Sequence, residues 1–195
     1  MMLPPQAPRS SASTPLTQIF FQIALISGVW VFLYVLNDWL FEHAAISAYA
    51  SWVFLPAALR MLAVLLCGWT GVLGLFLGSL ATGLYTHSLS DPGMLIVLAG
   101  LSALSPMVAF LICTRLFGWH PDLRGLKATQ LIVLSVLVSL CGAGLHNLHF
   151  VAIGATTDFS QTFTAMFVGD LIGTFIVLYS AKLLIGLMPL SKEAT

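Results

Sequence analysis

The sequence predicts an all-α protein, a polytopic bundle of transmembrane helices with about six membrane segments. Hydrophobic residues make up 59% of the 195 residues and charged residues only 7%, whereas a soluble domain carries about 25% charged residues. So few charges cannot cover a surface that faces water, so membrane lipid is expected to surround most of the chain. The net charge of zero gives no indication of nucleic-acid binding.

Six apolar stretches separated by short loops account for the predicted segments. They span residues 16–41, 45–67, 70–86, 93–116, 128–153 and 163–187. Because a helix needs about 20 residues to cross about 30 Å of hydrocarbon, the third stretch is short. The second contains Pro56, which removes a helix hydrogen bond. We therefore predict a kinked or re-entrant second segment, with its regular helix beginning near Pro56.

The domain organisation follows from these boundaries. Residues 1–15 are predicted to be a disordered tail rich in Pro and Ser, residues 16–188 the bundle, and residues 189–195 a short C-terminal tail. Neither tail is long enough for a soluble domain, and the chain has no phosphate loop, HExxH motif or serine elbow. We expect no enzyme in this chain, so any enzymatic output would belong to a partner.

The distribution of charges between the loops predicts the orientation. If the N-terminus is cytoplasmic, the six peripheral cations all lie inside, at Arg9, Arg115, Arg124, Lys127, Lys182 and Lys192. The outer loops then carry the acids Asp38, Glu42, Asp91 and Asp158 and no Lys or Arg. The positive-inside rule therefore predicts a multi-pass protein of the bacterial inner membrane with both termini cytoplasmic.

Two charges, Arg60 and Asp170, lie deep in apolar sequence. A charge at the bilayer centre costs a few kcal/mol on insertion scales, so both should face the bundle interior, and the simplest arrangement pairs them. Such a pair could hold the second and sixth segments together, form the floor of a ligand site, or belong to a proton path. The sequence leaves these three interpretations open.

Glycines recur at spacing four on two segments, a pattern that lets helix backbones approach closely. Gly74 and Gly78 lie on the third segment, and Gly169 and Gly173 flank Asp170 on the sixth. Packing within the chain explains both pairs, and an oligomer through the Gly74/Gly78 face is the alternative.

Four histidines fall toward the predicted outer surface. His43 and His87 lie at helix ends, and His146 and His149 share one face of the fifth segment on either side of Asn147. They could be metal ligands, a haem axial pair, a pH sensor, or interfacial groups bonded to backbone or water. No Cys or carboxylate lies at metal spacing, so we expect no metal and these four histidines are weak candidates at most. Haem is not expected, because two facing helices should each offer a histidine at mid-membrane, and the cofactor stays unknown.

The remaining polar positions have structural interpretations. The three cysteines, Cys67, Cys113 and Cys141, lie in apolar stretches without paired spacing and are predicted to be buried free thiols. Ser102 and Ser105 precede Pro106 and are predicted to bond backbone groups freed by a proline kink.

Three stretches carry a family resemblance. They are Phe-Leu-Pro-Ala-Ala at 54–58 with the later Gly-Trp-Thr-Gly-Val-Leu-Gly at 68–74, Arg-Leu-Phe-Gly at 115–118, and Val-Gly-Asp-Leu-Ile-Gly-Thr at 168–174. In this order the chain resembles the first class of membrane-associated sensor (MASE) domains, which are usually fused to histidine kinases or diguanylate cyclases. The resemblance implies a sensor-like membrane fold with a functional Gly-Asp motif. Thr70 replaces the proline of the family pattern, and no kinase or cyclase follows.

We therefore expect a sensor-like or regulatory membrane subunit that acts through contact with a partner membrane protein or signalling enzyme. Its expected mechanism is a helix-packing equilibrium, biased at the outer face and transmitted through the sixth segment at Asp170. One alternative is a small transporter or substrate-binding component, because a buried ion pair beside a broken helix also occurs at transport sites. Another is a structural accessory subunit of a bioenergetic complex.

Overall fold

The computed structural model describes residues 15–47, 50–86, 91–119, 127–156 and 158–187, and six α-helices form most of this part of the chain. The helices are α1 (Leu16–Phe41), α2 (Pro56–Cys67), α3 (Trp69–Thr86), α4 (Pro92–Leu116), α5 (Ala128–Ala152) and α6 (Phe159–Leu187). Between α1 and α2 lie a 3-10 turn (Glu42–Ala44) and a hairpin of two short antiparallel strands, β1 (Ala45–Ser47) and β2 (Ala50–Ser51). The predicted all-α bundle is confirmed. Residues 1–14 and 188–195, which hold nearly all of the predicted tails, lie outside the described residues.

Four helices of the described chain are long and apolar enough to cross a membrane, namely α1, α4, α5 and α6. Large apolar side chains such as Phe20, Phe21 and Phe32 are more than 60% exposed on α1, which suits a surface that faces lipid. The chain is thus an α-helical membrane protein. The 12 residues of α2 extend only about 18 Å at 1.5 Å per residue, so six complete crossings stay a prediction.

Interhelical contacts establish the direction of the helices. Three hydrogen bonds between α1 and α3 join Gln22 to Thr70, Ser27 to Gly74 and Trp30 to Thr82. The partners advance in the same sense along both helices, so α1 and α3 run parallel and α2 returns between them. Gly68, with φ of 56°, makes the sharp turn from α2 to α3.

Each of α4, α5 and α6 runs antiparallel to the helix before it. The end of α3 contacts the start of α4 through Gly83 and Leu95. The contacts Ser102–His146 and Ser105–Gly142 run in opposite senses along α4 and α5, as do Asn147–Met166 and Gly142–Asp170 along α5 and α6. Leu16 and Leu187 therefore lie at the same end of the bundle.

The glycine pair on α3 lies against α1. A Cβ atom placed on Gly74 would come within 2.7 Å of the Cβ of Ile26, and one on Gly78 within 2.8 Å of the Cβ of Trp30. The interpretation as packing within the chain is confirmed. The face that the sequence left open for an oligomer is occupied by α1.

Although α2 is the shortest helix, it lies at the centre of the bundle, with seven of its 12 residues buried. Ala63 and Val64 join a core cluster with residues of α1, α3 and α4, and Met61 joins a second cluster with α4 and α5. Both halves of the bundle therefore pack around α2.

The segment that leads into α2, residues 50–55, is not helical, so its backbone needs partners elsewhere in the protein. The amide of Leu55 donates to Oδ1 of Asn37 on α1 at 2.8 Å, and the amide of Phe54 donates to the carbonyl oxygen of Gly169 on α6 at 3.0 Å. Pro56 occupies the first turn of α2, where a missing N–H leaves no hydrogen bond unmade. The helix begins at Pro56 as predicted, while residues 45–47 and 50–55, predicted as part of the same apolar segment, form the two strands of the hairpin and a non-helical stretch.

We expect Gly78→Ala to lower the free energy of unfolding by about 1–3 kcal/mol, because the added methyl forces α1 away from α3. Gly100→Ala is the matched control, since a Cβ there meets nothing within 4 Å, and it should be neutral or stabilising by about 0.4–1 kcal/mol. Denaturation of the purified protein in mixed micelles measures both values. Equal effects of the two substitutions would contradict the role given to Gly78.

Candidate functional site

A buried ion pair joins α2 to α6 near the centre of the bundle. Nη2 of Arg60 lies 2.9 Å from Oδ1 of Asp170, and both side chains are only 3% exposed. The pairing predicted from the sequence is confirmed. Because hydrocarbon cannot solvate either charge, each residue is the counter-ion that allows the other to be buried.

Residues from three other elements position the guanidinium of Arg60. Its Cζ lies over the ring of Phe54, 5.1 Å from the centroid, in a cation–π contact. Trp30 and Tyr34 of α1 hold the Phe54 ring edge-on, at centroid distances of 6.1 and 6.3 Å. On the opposite side, a Cβ placed on Gly142 of α5 would lie only 2.7 Å from Nη1 of Arg60. The absence of a side chain at Gly142 therefore makes room for the guanidinium against α5.

The glycines that flank Asp170 pack against residues 50–55, the non-helical segment before α2. A Cβ on Gly169 would overlap the carbonyl oxygen of Ser51, and one on Gly173 would overlap the carbonyl oxygen of Phe54. The close approach predicted for these glycines is confirmed, but the partner is non-helical backbone, whereas a helix was predicted. The Gly-Asp motif of α6 thus contacts the non-helical segment and Arg60 together.

The ion pair leaves buried polar atoms without a hydrogen-bond partner among the described residues. They are Nε and Nη1 of Arg60 and Oδ2 of Asp170. Oγ of Ser105 on α4 is also buried without a hydrogen-bond partner among the described residues. Oδ2 and Oγ lie 3.3 and 3.7 Å from the position that a Cβ of Gly142 would occupy, so these atoms converge with Nη1 on one point. Since buried polar groups in proteins are usually paired with protein or water, this cluster requires a partner.

A cavity of about 140 Å³ adjoins the pair, toward the end of the bundle where the hairpin lies, and we call it the central cavity. Side chains from all six helices and the segment before α2 line it: Trp30, Tyr34, Ser51, Phe54, Arg60, Ser79, Thr82, Gly83, Leu95, Leu98, Ala99, Ser102, His146, Phe150, Met166 and Asp170. Its walls are mainly apolar, with the ion pair as a polar floor. This combination of an apolar pocket with a few convergent polar groups is typical of small-molecule sites.

His146 lies in the bundle interior beside Ser102, although its position one to two turns from the helix end had suggested an interfacial residue. It is 7% exposed, with Nδ1 2.8 Å from the carbonyl oxygen of Gly142 and Nε2 3.3 Å from Oγ of Ser102. The carbonyl can only accept, so Nδ1 donates. In the neutral imidazole Nε2 is then an acceptor, and the Ser102 hydroxyl donates to it. The predicted backbone bond is confirmed and the interfacial location was wrong.

The other candidate residues do not join the central cavity. Asn147 packs between α5 and α6, where its Nδ2 donates to the carbonyl oxygen of Ala143 at 2.8 Å. His149 is half-buried, and its Nε2 has no hydrogen-bond partner in the part of the chain that the structure describes; His43 is exposed on the 3-10 turn. His87 lies outside the described residues. Within the described ranges, no three His, Cys, Asp or Glu side chains are arranged to hold a metal ion.

The serines of α4 do not make the predicted contacts, whereas the cysteines are free thiols as predicted. Ser102 contacts His146, and Ser105 has no hydrogen-bond partner in the described structure, so the prediction that they bond freed backbone was wrong. The three cysteines are free as predicted, and Cys113 is fully buried while Cys67 and Cys141 are half-buried.

Several residues that shape the site were not predicted from the sequence. Phe54, Trp30 and Gly142 position Arg60, and Asn37 pairs the backbone that leads into α2. Asn37 carried a usable signal, because an amide within a long apolar helix needs a partner. The aromatic residues carried none, since aromatic side chains are common on both lipid-facing and interior surfaces of membrane helices.

Comparisons with protein-family models, with curated proteins and with solved structures find no match to this chain. The geometry of the ion pair and the central cavity is therefore the basis for assigning a function, and the resemblance to sensor domains stays a prediction.

Asp170→Asn is expected to lower the free energy of unfolding by about 3–5 kcal/mol, because the Arg60 charge stays buried without its counter-ion. The double substitution Arg60→Met with Asp170→Asn should recover most of that loss. Asp158→Asn is the control on the same helix, since Asp158 is exposed and only caps α6 through a 2.9 Å bond from the amide of Gln161. Equal losses for Asp170→Asn and Asp158→Asn in chemical denaturation would argue against a buried pair.

Gly173→Ala should displace the non-helical segment, residues 50–55, because the added methyl would occupy the position of the Phe54 carbonyl oxygen. We expect a loss of about 3 kcal/mol or more, together with faster amide hydrogen exchange in residues 50–55. Gly186→Ala on the same helix is the control, as a Cβ there meets nothing within 4 Å. Unchanged exchange in residues 50–55 of the Gly173→Ala protein would contradict the contact.

Proposed function

We propose that the protein is a sensor-like or regulatory membrane subunit that receives a small chemical cue in the central cavity and transmits it to a partner membrane protein or signalling enzyme. The observation that carries this proposal is the buried Arg60–Asp170 pair, which lines a cavity and has polar atoms without a partner among the described residues. A pair with a purely structural role is most stable when every polar atom is bonded and no space is left beside it.

The contacts around the pair supply a route for the signal. Phe54 touches Arg60 through its ring and α6 through its backbone, at Gly169 and Gly173. A cue that bonds Arg60 or Asp170 therefore changes the balance of contacts between α2, residues 50–55 and α6. A ligand shifts such an equilibrium only through its different affinity for the two packings. The resemblance to sensor domains, with its Gly-Asp motif at 169–170, supports the same residues.

We further propose that the membrane is the bacterial inner membrane, with both chain termini in the cytoplasm. Leu16 and Leu187 lie at one end of the bundle, and the cations Arg115, Lys127 and Lys182 belong to the loops and helix ends at that end. The opposite end carries Asp38, Glu42, Asp91 and Asp158 and no Lys or Arg. This asymmetry is the one that the positive-inside rule describes.

A small transporter is the second candidate, and one observation favours it. The chain reaches the ion pair through a non-helical segment in the middle of the bundle, and broken helices commonly form transporter binding sites. A transporter must expose its site to each side of the membrane in turn, whereas a sensor of an external cue needs access from one side only.

Thiol labelling distinguishes these functions. Ser102→Cys is placed at the cavity wall in a protein whose three native cysteines are replaced by Ala, and oriented vesicles receive a small membrane-impermeant thiosulfonate on either side. We expect labelling only from the side that labels an Asp158→Cys marker. Leu104→Cys is the control, because Leu104 lies on the same helix but is 46% exposed toward lipid, and it should stay unlabelled.

Labelling of Ser102→Cys from both sides would favour the transporter. Labelling from neither side, with the Asp158→Cys marker labelled normally, would contradict both candidates and favour a structural accessory subunit.

A further inference from the structure

We infer that the central cavity takes a small molecule of zero net charge that carries a hydrogen-bond acceptor and donors on neighbouring atoms, as a carboxamide does. The inference rests on the proposed function, because it identifies the chemical class of the cue at the same site. Its support comes from the size of the cavity, the bonding capacity of its floor and the net charge of its lining.

The volume suits a ligand of a few atoms. About 140 Å³ is close to the size of an engineered cavity that binds benzene. A ligand with about six non-hydrogen atoms therefore fits.

The floor of the cavity requires both an acceptor and donors on the ligand. Arg60 can only donate, and its Nε and Nη1 have no partner among the described residues. Oδ2 of Asp170 can only accept and is likewise unpartnered. At the wall, the hydroxyl hydrogen of Ser102 is directed to His146, so its oxygen offers lone pairs. A carbonyl oxygen for Arg60 beside N–H groups for Asp170 and Ser102 satisfies this set.

The charge of the lining excludes ions as preferred ligands. The charges of Arg60 and Asp170 cancel, and the other described residues that line the cavity are uncharged when His146 is a neutral imidazole. A carboxylate or an ammonium ion would bring an uncompensated charge into a medium of low dielectric constant, where that charge is strongly disfavoured. An uncharged amide avoids this cost and leaves the ion pair intact.

The walls accept a short hydrocarbon body. Trp30, Phe54, Leu95, Leu98 and Phe150 surround the space above the polar floor. A branched chain of three carbons attached to the amide would fill this apolar part, which gives isobutyramide as the probe.

Binding of four compounds of matched shape tests the inference with the full chain in lipid nanodiscs, by isothermal titration and ligand-observed NMR. Isobutyramide has the acceptor and donors, isobutyrate is an anion, isobutylamine is a cation, and methyl isopropyl ketone has the acceptor alone. We expect isobutyramide to bind at least about tenfold more tightly than each of the other three. Similar binding of all four, or binding of none because the site holds only water, would overturn the inference.

Charge substitutions add a sharper test. Asp170→Asn leaves Arg60 unbalanced, so the preference should change to isobutyrate, and Arg60→Gln should change it to isobutylamine. Asp158→Asn, on the exposed end of α6, should keep the preference for the amide. If the single variants do not fold, the neutral double variant Arg60→Gln with Asp170→Asn should still prefer the amide over both ions. A preference for the amide in folded Asp170→Asn or Arg60→Gln protein would contradict recognition at the ion pair, as would a preference for either ion in the neutral double variant.

The outcomes separate this inference from the proposed function. Amide-selective binding together with labelling of Ser102→Cys from both sides supports the ligand class and contradicts the sensor. Labelling from one side without amide selectivity supports the sensor and contradicts the ligand class.

Discussion

The rest of the structure depends on the burial of two opposite charges where hydrocarbon cannot solvate them. Arg60 and Asp170 lie 110 positions apart in sequence, and each has to find the other within the bundle. Meeting this requirement draws α2 into the centre, against α6 and between the two halves of the core. The free-energy cost of leaving either charge alone is large enough to select this packing over alternatives that bury a similar apolar area.

The approach of α2 to α6 is possible because small residues and irregular backbone occur at the contact. Gly142 leaves room for the guanidinium of Arg60, and Gly169 and Gly173 leave room for the backbone of residues 50–55. This non-helical segment is tolerated because Asn37 and the carbonyl oxygen of Gly169 accept hydrogen bonds from two of its amides. The residues that hold the fold together are therefore largely the residues that shape the central cavity, so binding in the cavity and packing of α6 are physically coupled.

The cavity also explains why polar groups distributed over the sequence act as one site. Ser102 and His146 come from antiparallel α4 and α5, and they meet one helical turn from Gly142, against which Arg60 packs. Polar groups inside a membrane bundle gain by converging, since each can satisfy another where water is scarce. The same convergence leaves a few atoms unpaired beside the space, and these are the atoms that would recognise a ligand.

The sequence by itself determined that the chain is a helical membrane protein, where its long apolar helices lie, and that a pair of Arg60 with Asp170 is the simplest way to bury both charges. These features follow from hydropathy, proline chemistry and the cost of buried charge, which act locally or allow a single partner. Tertiary structure alone decided that residues 50–55 leave the helix, that α1 covers the Gly74/Gly78 face, and that His146 lines the central cavity while His149 does not. Those outcomes depend on which surfaces of neighbouring helices meet, and helices that are apolar on every side carry no periodic signal that would reveal it.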